Sequence, residues 1–173
     1  MRILRSRRRK ILLLGVVVVL LGLTARLFVW PDTNAPVHAD AIVVLAGGGG
    51  RIAQGVSLAS AGYAPLIAFS IYKGQQCVPS TPKIKAVCFV ANPVSTRGEA
   101  RAVGHLAAKY HLHRIIVVAT TTQATRARLR VGRCYSGQLL VVGVSPGNVA
   151  DWVFNIAYEW AALLKAVVWQ TSC

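Results

Sequence analysis

Acid is scarce in this chain. Only five of 173 residues are Asp or Glu, against 20 Lys and Arg, and none of the five falls between Asp40 and Glu99. Gly48, Gly50 and Ala53 formally satisfy a G-x-G-x-x-A pattern. A dinucleotide site also needs an acid about 20 residues further on to hold the ribose, so the gap excludes NAD. Other absences narrow the field. With no GxxxxGK[ST] there is no P-loop, and with no G-x-S-x-G elbow a serine hydrolase has no support. No pair among Cys77, Cys88, Cys134 and Cys173 has C-x-x-C spacing, which argues against a zinc site or a thioredoxin-type redox centre. His38, His105, His111 and His113 form no ligand pattern, and no internal repeat or low-complexity tract occurs.

What the chain does have is a long apolar run near its start. Ile11 to Leu23 is unbroken apolar or Gly, and with Thr24-Ala25-Arg26 tolerated the segment reaches Trp30. As a helix it would span roughly 30 Å, the thickness of a bilayer core. Arg26 can snorkel to the headgroups and Trp30 suits the interface. Six basic residues precede the run, which keeps the N-terminus in the cytoplasm. A cleaved signal peptide has the same charge and apolar core, but the small-residue motif Val37-His38-Ala39 lies far beyond the run. The expected layout is a basic cytoplasmic tail (1–10), a transmembrane signal anchor (11–30), a proline-containing linker (31–39) and one extracytoplasmic domain (40–173).

From Pro31 onward 13 Lys and Arg still face five acids. A basic body suits nucleic acid, anionic lipid or a phosphorylated small molecule, and an extracytoplasmic location excludes nucleic acid. In an oxidising compartment an even cysteine count implies pairing. Cys77 and Cys88 flank a proline turn and are expected to pair locally, which leaves Cys134 with Cys173.

The body alternates strand and helix. Ala41 to Ala46 has no polar residue and predicts a strand buried on both faces. A glycine turn and a helix to about Gly62 follow. Strands are expected over 65–70, 86–90, 113–119 and 138–144, with helices from Ser95 to Tyr110, from Ala124 to Arg133, and from Asn148 or Asp151 through Glu159 to Trp169, the last packing on the sheet. This order implies a Rossmann-like three-layer α/β/α sandwich with a mostly parallel sheet, preceded by one transmembrane helix. Ligands of such sheets bind at the carboxyl ends of the strands.

Three loops lie on that rim, each leading into a helix and each carrying an arginine: Gly47, Gly48, Gly49, Gly50 and Arg51; Ser95, Thr96, Arg97 and Glu99; and Thr120, Gln123 and Arg126. Guanidinium groups beside helix N-termini suit phosphate or pyrophosphate. Glu99 is then the one acid near the rim apart from Asp40, and the candidate general base or metal ligand. The structural alternative is that Thr96-x-x-Glu99 is a capping box. Arg128, Arg130 and Arg133 read as a solvated or membrane-facing helix surface. No cofactor is firmly implied, and a divalent metal is compatible with Glu99.

Taken together, DAIVVLAGGGGRI, STRGEA and VVATTTQATRARL resemble the YdcF-like family of bacterial envelope proteins, which includes the SanA and ElyC types, over roughly Asp40 to Val144. The four cysteines and the ending YEWAALLKAVVWQTSC are similar to an actinobacterial variant. The resemblance implies a membrane-anchored Rossmann-like domain linked to cell-wall biogenesis and lipid-carrier metabolism. Gly47, Gly48 and Arg51 match its first motif, Ser95, Thr96, Arg97, Glu99 and Ala100 its second, and Thr120, Arg126 and Ala127 its third. The third motif commonly reads TSxYHMPRA, and Gln123 stands here where the family has histidine. Glutamine exchanges hydrogen bonds but shuttles no proton.

The expected function is binding of a phosphorylated metabolite or a polyprenyl phosphate or pyrophosphate carrier at the rim. Hydrolysis or transfer of the phosphate ester or pyrophosphate is the chemistry such a site would support. The alternative is a non-catalytic envelope scaffold that contacts anionic lipid or protein partners, its rim residues serving as helix caps.

Overall fold

The computed structural model describes residues 2–48 and 50–173, with side chains from residue 9 onward except at 49. Gly49 and the side chains of the basic cluster at 2–8 therefore lie outside the described residues.

Five strands form one sheet: β1 (Ala41–Val44), β2 (Leu66–Ile71), β3 (Lys85–Val90), β4 (Arg114–Thr120) and β5 (Gln138–Val144). Their order is β3-β2-β1-β4-β5, and every pairing is parallel. Ala41 is level with Leu66 on one side and Ile115 on the other. The chain winds outward from β1 to β3, then returns to the far side of β1 for β4 and β5. The reversal leaves a crevice at the carboxyl ends of β1 and β4. The fold is Rossmann-like α/β, as the alternation of elements predicts.

The unbroken apolarity of β1 is explained by two cores. Ala41 and Val43 pack with Val103 and Ala107 of α3 (Thr96–Tyr110) and with Ala127 and Val131 of α4 (Ala124–Gly132). Ile42 and Val44 point the other way, toward Leu58 and Ala59 of α2 (Arg51–Ser60). Successive strand residues face opposite sides, so a strand covered on both needs no polar residue. Asp40, at the foot of β1, accepts hydrogen bonds from the backbone N–H groups of His113 and Arg114 at 2.6 and 2.8 Å. Those bonds hold its carboxyl below the usual carboxylate range.

Both disulfides are as expected: Cys77–Cys88 and Cys134–Cys173, with Cα separations of 5.8 and 5.0 Å. The second closes the chain end onto α4 and carries the C-terminal arm past α3.

Helix α1 adds a detail to the expected layout, and three expectations are corrected after it. Helix α1 begins at Arg2 and runs to Thr24, so the basic tail is helical and continuous with the apolar run, as the good helix propensity of arginine allows. A π-helical turn, Ala25–Val29, follows it. One helix, Arg9–Val29, is long and apolar enough to cross a membrane by length and composition, and almost none of it is buried.

The segment after it is not a free linker. Asn34 exchanges bonds with Val141 of β5, donating from its backbone N–H and accepting at its side chain, and it also accepts from Arg128. Phe28 is fully buried.

Helix α5 (Val149–Val168) has α4 and the turn before α4 as its main neighbours, rather than a sheet face. Arg130 and Arg133, at the end of α4, are committed to this packing, and Arg128 to the segment after the apolar helix, instead of forming a solvated surface. Arg130 bonds the carbonyl and side chain of Gln170, and Arg133 donates to the carbonyls of Ala166 and Gln170 at 2.8 and 2.9 Å. Cations at a helix C-terminus satisfy carbonyls left without an intrahelical partner.

Helices α3 and α4 approach closely because Gly104 has no side chain: a Cβ there would meet the backbone carbonyl of Cys134. Gly104→Ala is therefore expected to cost about 1–3 kcal/mol through overpacking. Gly132→Ala, with nothing within 4 Å of its Cβ position, is expected to be neutral or to stabilise by up to about 1 kcal/mol. Chemical denaturation of the full chain with its disulfides intact measures both.

Candidate functional site

The crevice above β1 and β4 is a polar cavity of about 440 Å³. The three expected rim loops contribute Gly47, Gly48, Arg51, Ser95, Thr96, Glu99, Thr120, Gln123 and Arg126. Two further contributions were not anticipated. The end of β2 supplies Ser70 and Tyr72, and α5 supplies Asp151, Asn155, Tyr158 and Glu159. Glu99 is therefore not the lone acid at the rim. The sequence did carry a signal for the α5 wall: Asp151, Asn155 and Glu159 recur every four residues on an otherwise apolar helix, which sets them on one stripe.

The first loop ends β1 and turns through Gly47 and Gly50, both at positive φ, 120° and 76°. No side chain caps the N-terminus of α2 that follows. Arg51 folds back over its own turn. Its Nε donates to the Gly48 carbonyl at 2.9 Å, its Nη1 donates to Gln123 Oε1 at 2.9 Å, and its Nη2 lies where a Cβ on Gly47 would be. Glycine at 47 thus makes room for the guanidinium as well as for the backbone angle. Burial lowers the Arg51 pKa, with Glu99 opposing the shift. A guanidinium nevertheless stays protonated in a protein.

Gln123 sits in a short 3₁₀ turn, Thr121–Gln123, between β4 and α4. Arginine only donates, so the oxygen of the Gln123 amide must face Arg51 and its nitrogen must face Thr96. The Nε2 to Thr96 Oγ1 distance is 3.0 Å. Thr96 Oγ1 also accepts from Arg126 Nη1 at 2.6 Å, and Arg126 grips Glu159 through both Nε and Nη2 at 2.6 Å. A continuous chain, Glu159–Arg126–Thr96–Gln123–Arg51, ties α5, α4, α3 and α2 together around the cavity. Burial alone would weaken the Arg126 charge, but the Glu159 carboxylate more than offsets it, and the Arg126 pKa is raised.

Glu99 is buried beneath the glycine turn, where Oε1 accepts from the backbone N–H of Ala46 at 2.6 Å. Burial raises its pKa, and the Ala46 N–H, the nearby Ser70 hydroxyl and Arg51 only partly oppose the shift. Ser70 faces the same carboxylate. It is 8% exposed and its hydroxyl has no hydrogen-bond partner of good geometry among the described residues. With the Glu99 carboxylate it faces, that hydroxyl forms a polar patch at the floor of the cavity.

The capping-box reading of Thr96-x-x-Glu99 is corrected. Ser95 is the cap of α3, accepting from the Gly98 N–H, while Thr96 and Glu99 turn into the cavity. Arg97, in contrast, leaves the rim. Its guanidinium donates to the carbonyl of Cys173 and to Ser172 Oγ, and it does not line the cavity. Gly50, set in the turn, does not line it either, and Gly49 lies outside the described residues. Among the described residues no three His, Cys, Asp or Glu side chains cluster closely enough to hold a metal ion.

The charges at the cavity do not cancel uniformly. Glu159 takes up the Arg126 charge, and burial pushes Glu99 toward its neutral form. Arg51, beside the uncapped end of α2, is left as the positive focus of the floor, with Asp151 at the exposed margin. Comparison with known proteins adds nothing: no family model, curated protein or solved structure matches the chain.

The buried Arg126–Glu159 pair makes single truncations costly. Glu159→Ala or Arg126→Ala is expected to lose about 3–5 kcal/mol, and replacing both by apolar residues of similar volume to recover most of it, as a double-mutant denaturation series would read. Glu99 sets a pH dependence. Its folded pKa lies above the ordinary value of 4.5, so between the two the folded state binds more protons and stability falls as pH rises. The Glu99→Gln variant is expected to lack this fall and to gain on the native chain as pH moves from 4 to 8. Parallel stability profiles would contradict the assignment.

Proposed function

We propose that this chain is a YdcF-like protein of the cell envelope, anchored by its N-terminal helix with the α/β domain outside the cytoplasm, and that the cavity binds the phosphate or diphosphate of an envelope metabolite or polyprenyl carrier. The observation that carries the reading is the floor of the cavity. Arg51, the Gly47–Gly48 turn and the uncapped end of α2 converge there beside Ser70. Backbone N–H groups at a helix N-terminus and a guanidinium with donors to spare favour a compact multivalent oxyanion. Two disulfides support an oxidising location, since such bonds persist outside the reducing cytoplasm.

Of the three rim arginines, Arg51 is the principal anion ligand, because Arg126 is engaged by Glu159 and Arg97 by the chain terminus. Glu99, with its raised pKa, holds a proton more readily than an ordinary carboxyl, which suits proton transfer with a phosphate oxygen or its leaving group. Gln123 stands where the YdcF-like motif has histidine, and it serves as a positioning residue that holds Arg51 and Thr96.

The test uses the full chain in nanodiscs. Binding of inorganic pyrophosphate and of a polyprenyl diphosphate is titrated, and phosphate release is followed with and without divalent metal. Arg51→Gln is expected to weaken binding tenfold or more, on the order of 1.5–3 kcal/mol for lost charge-assisted bonds. Arg97→Gln is expected to leave it unchanged. Binding indifferent to Arg51 would remove the anion site and favour the scaffold reading. Turnover that survives Glu99→Gln would remove Glu99 from the chemistry.

A further inference from the structure

Helix α5 has two unlike long faces. One carries Asp151, Asn155, Tyr158 and Glu159 on the cavity wall. The other exposes Val149, Val153, Phe154, Leu164 and Val168 to solvent, with Val153 65% and Phe154 72% accessible. An apolar stripe of this length on a helix otherwise engaged with its own domain marks an interaction surface.

The position of the stripe identifies its occupant. At the middle of α5 the Trp160 indole N–H donates to Thr24 Oγ1 at 3.1 Å, and its ring meets Phe28 edge-on with centroids 5.2 Å apart. Thr24 and Phe28 belong to the last turns of the apolar helix Arg9–Val29. Residues of the stripe lie on both sides of Trp160 along α5, while the apolar helix itself is almost wholly exposed. Helix α5 therefore crosses the end of the span and does not run alongside it. A helix crossing a transmembrane segment at its end lies at the level of the bilayer interface. Lys165 at the edge of the stripe and Trp169 beyond its end are side chains that suit that depth.

We infer that the apolar face of α5 is seated in the headgroup and upper acyl region of the bilayer that holds the anchor, in the manner of an interfacial helix. The inference rests on the proposed reading of α1 as a membrane span. Its consequence is that the opposite face of α5, one wall of the cavity, opens at headgroup height. The phosphate then comes from a lipid that reaches the site without leaving the membrane.

Photocrosslinking tests this on the full chain in nanodiscs. Benzoylphenylalanine replaces Phe154 or Leu164 in the stripe, Leu20 in the span, or Lys109 near the opposite, amino-terminal end of the sheet. Lipid adducts are expected at 154, 164 and 20, with at least tenfold lower yield at 109. Adducts at 20 without adducts at 154 and 164 would overturn the docking of α5 and leave the anchor standing. Crosslinks from 154 or 164 to a second copy of the chain would overturn it in favour of a dimer. Equal lipid yield at 109 would also overturn it, and absence of adducts at 20 would remove the anchor and the inference together.

Discussion

The rest of the site depends on one buried ion pair, Arg126 with Glu159. Burying two charges is expensive unless geometry and further hydrogen bonds compensate. Here both carboxylate oxygens are gripped, and the remaining Arg126 nitrogen is bound to Thr96. The pair fixes α5 over the rim and thereby creates one wall of the cavity. It also starts the relay through Thr96 and Gln123 that orients Arg51. Without it, α5 would be held by Trp160 against Thr24 and Phe28 and by the ties at its far end, from Arg130 and Arg133 to Gln170 and from Cys134 to Cys173.

Scarcity of acid gives the pair its wider consequence. Four of the five acids have definite tasks: Asp32 pairs with Arg26, Asp40 caps the start of β4, Glu99 receives the Ala46 N–H, and Glu159 holds Arg126. Glu99, the acid coupled most strongly to Arg51, has its own pKa raised by burial. A basic protein with abundant acid would scatter its charge into surface pairs of little energy. Here the two buried glutamates, Glu99 and Glu159, both sit beside the arginines of the crevice.

Much of the fold was legible because it is dictated locally. A doubly covered strand must be apolar throughout, and Ala41 to Val44 is. The boundaries of β5 coincide with the apolar run Gln138 to Val144, and the two disulfides follow from a proline turn and elimination. The site was only half legible, because its decisive contacts are distant in sequence. Arg51, Arg97 and Arg126 occupy equivalent places on three loops, and nothing local distinguishes them. What separates them is that Ser172 and Cys173 draw Arg97 outward and Glu159 claims Arg126. The four-residue recurrence of Asp151, Asn155 and Glu159 could have been read. It was masked by the hydrophobicity of α5, which suggested a helix resting on the sheet.

The way the apolar helix joins the domain constrains function as much as the cavity does. A flexible nine-residue linker would let the domain wander about 15–18 Å from the apolar helix. Instead Thr125 donates to the Leu27 carbonyl, Phe28 is buried, and the π-helical turn packs against the short turn that carries Gln123. Segment 121–125 thus presents Gln123 to the cavity and Thr125 to the end of the apolar helix. A site built on the same five residues as its tether has a fixed height and orientation relative to whatever holds the tether. Such rigidity matches the proposed ligand, a lipid confined to a plane, because a fixed height is what lets a headgroup at that plane meet the cavity.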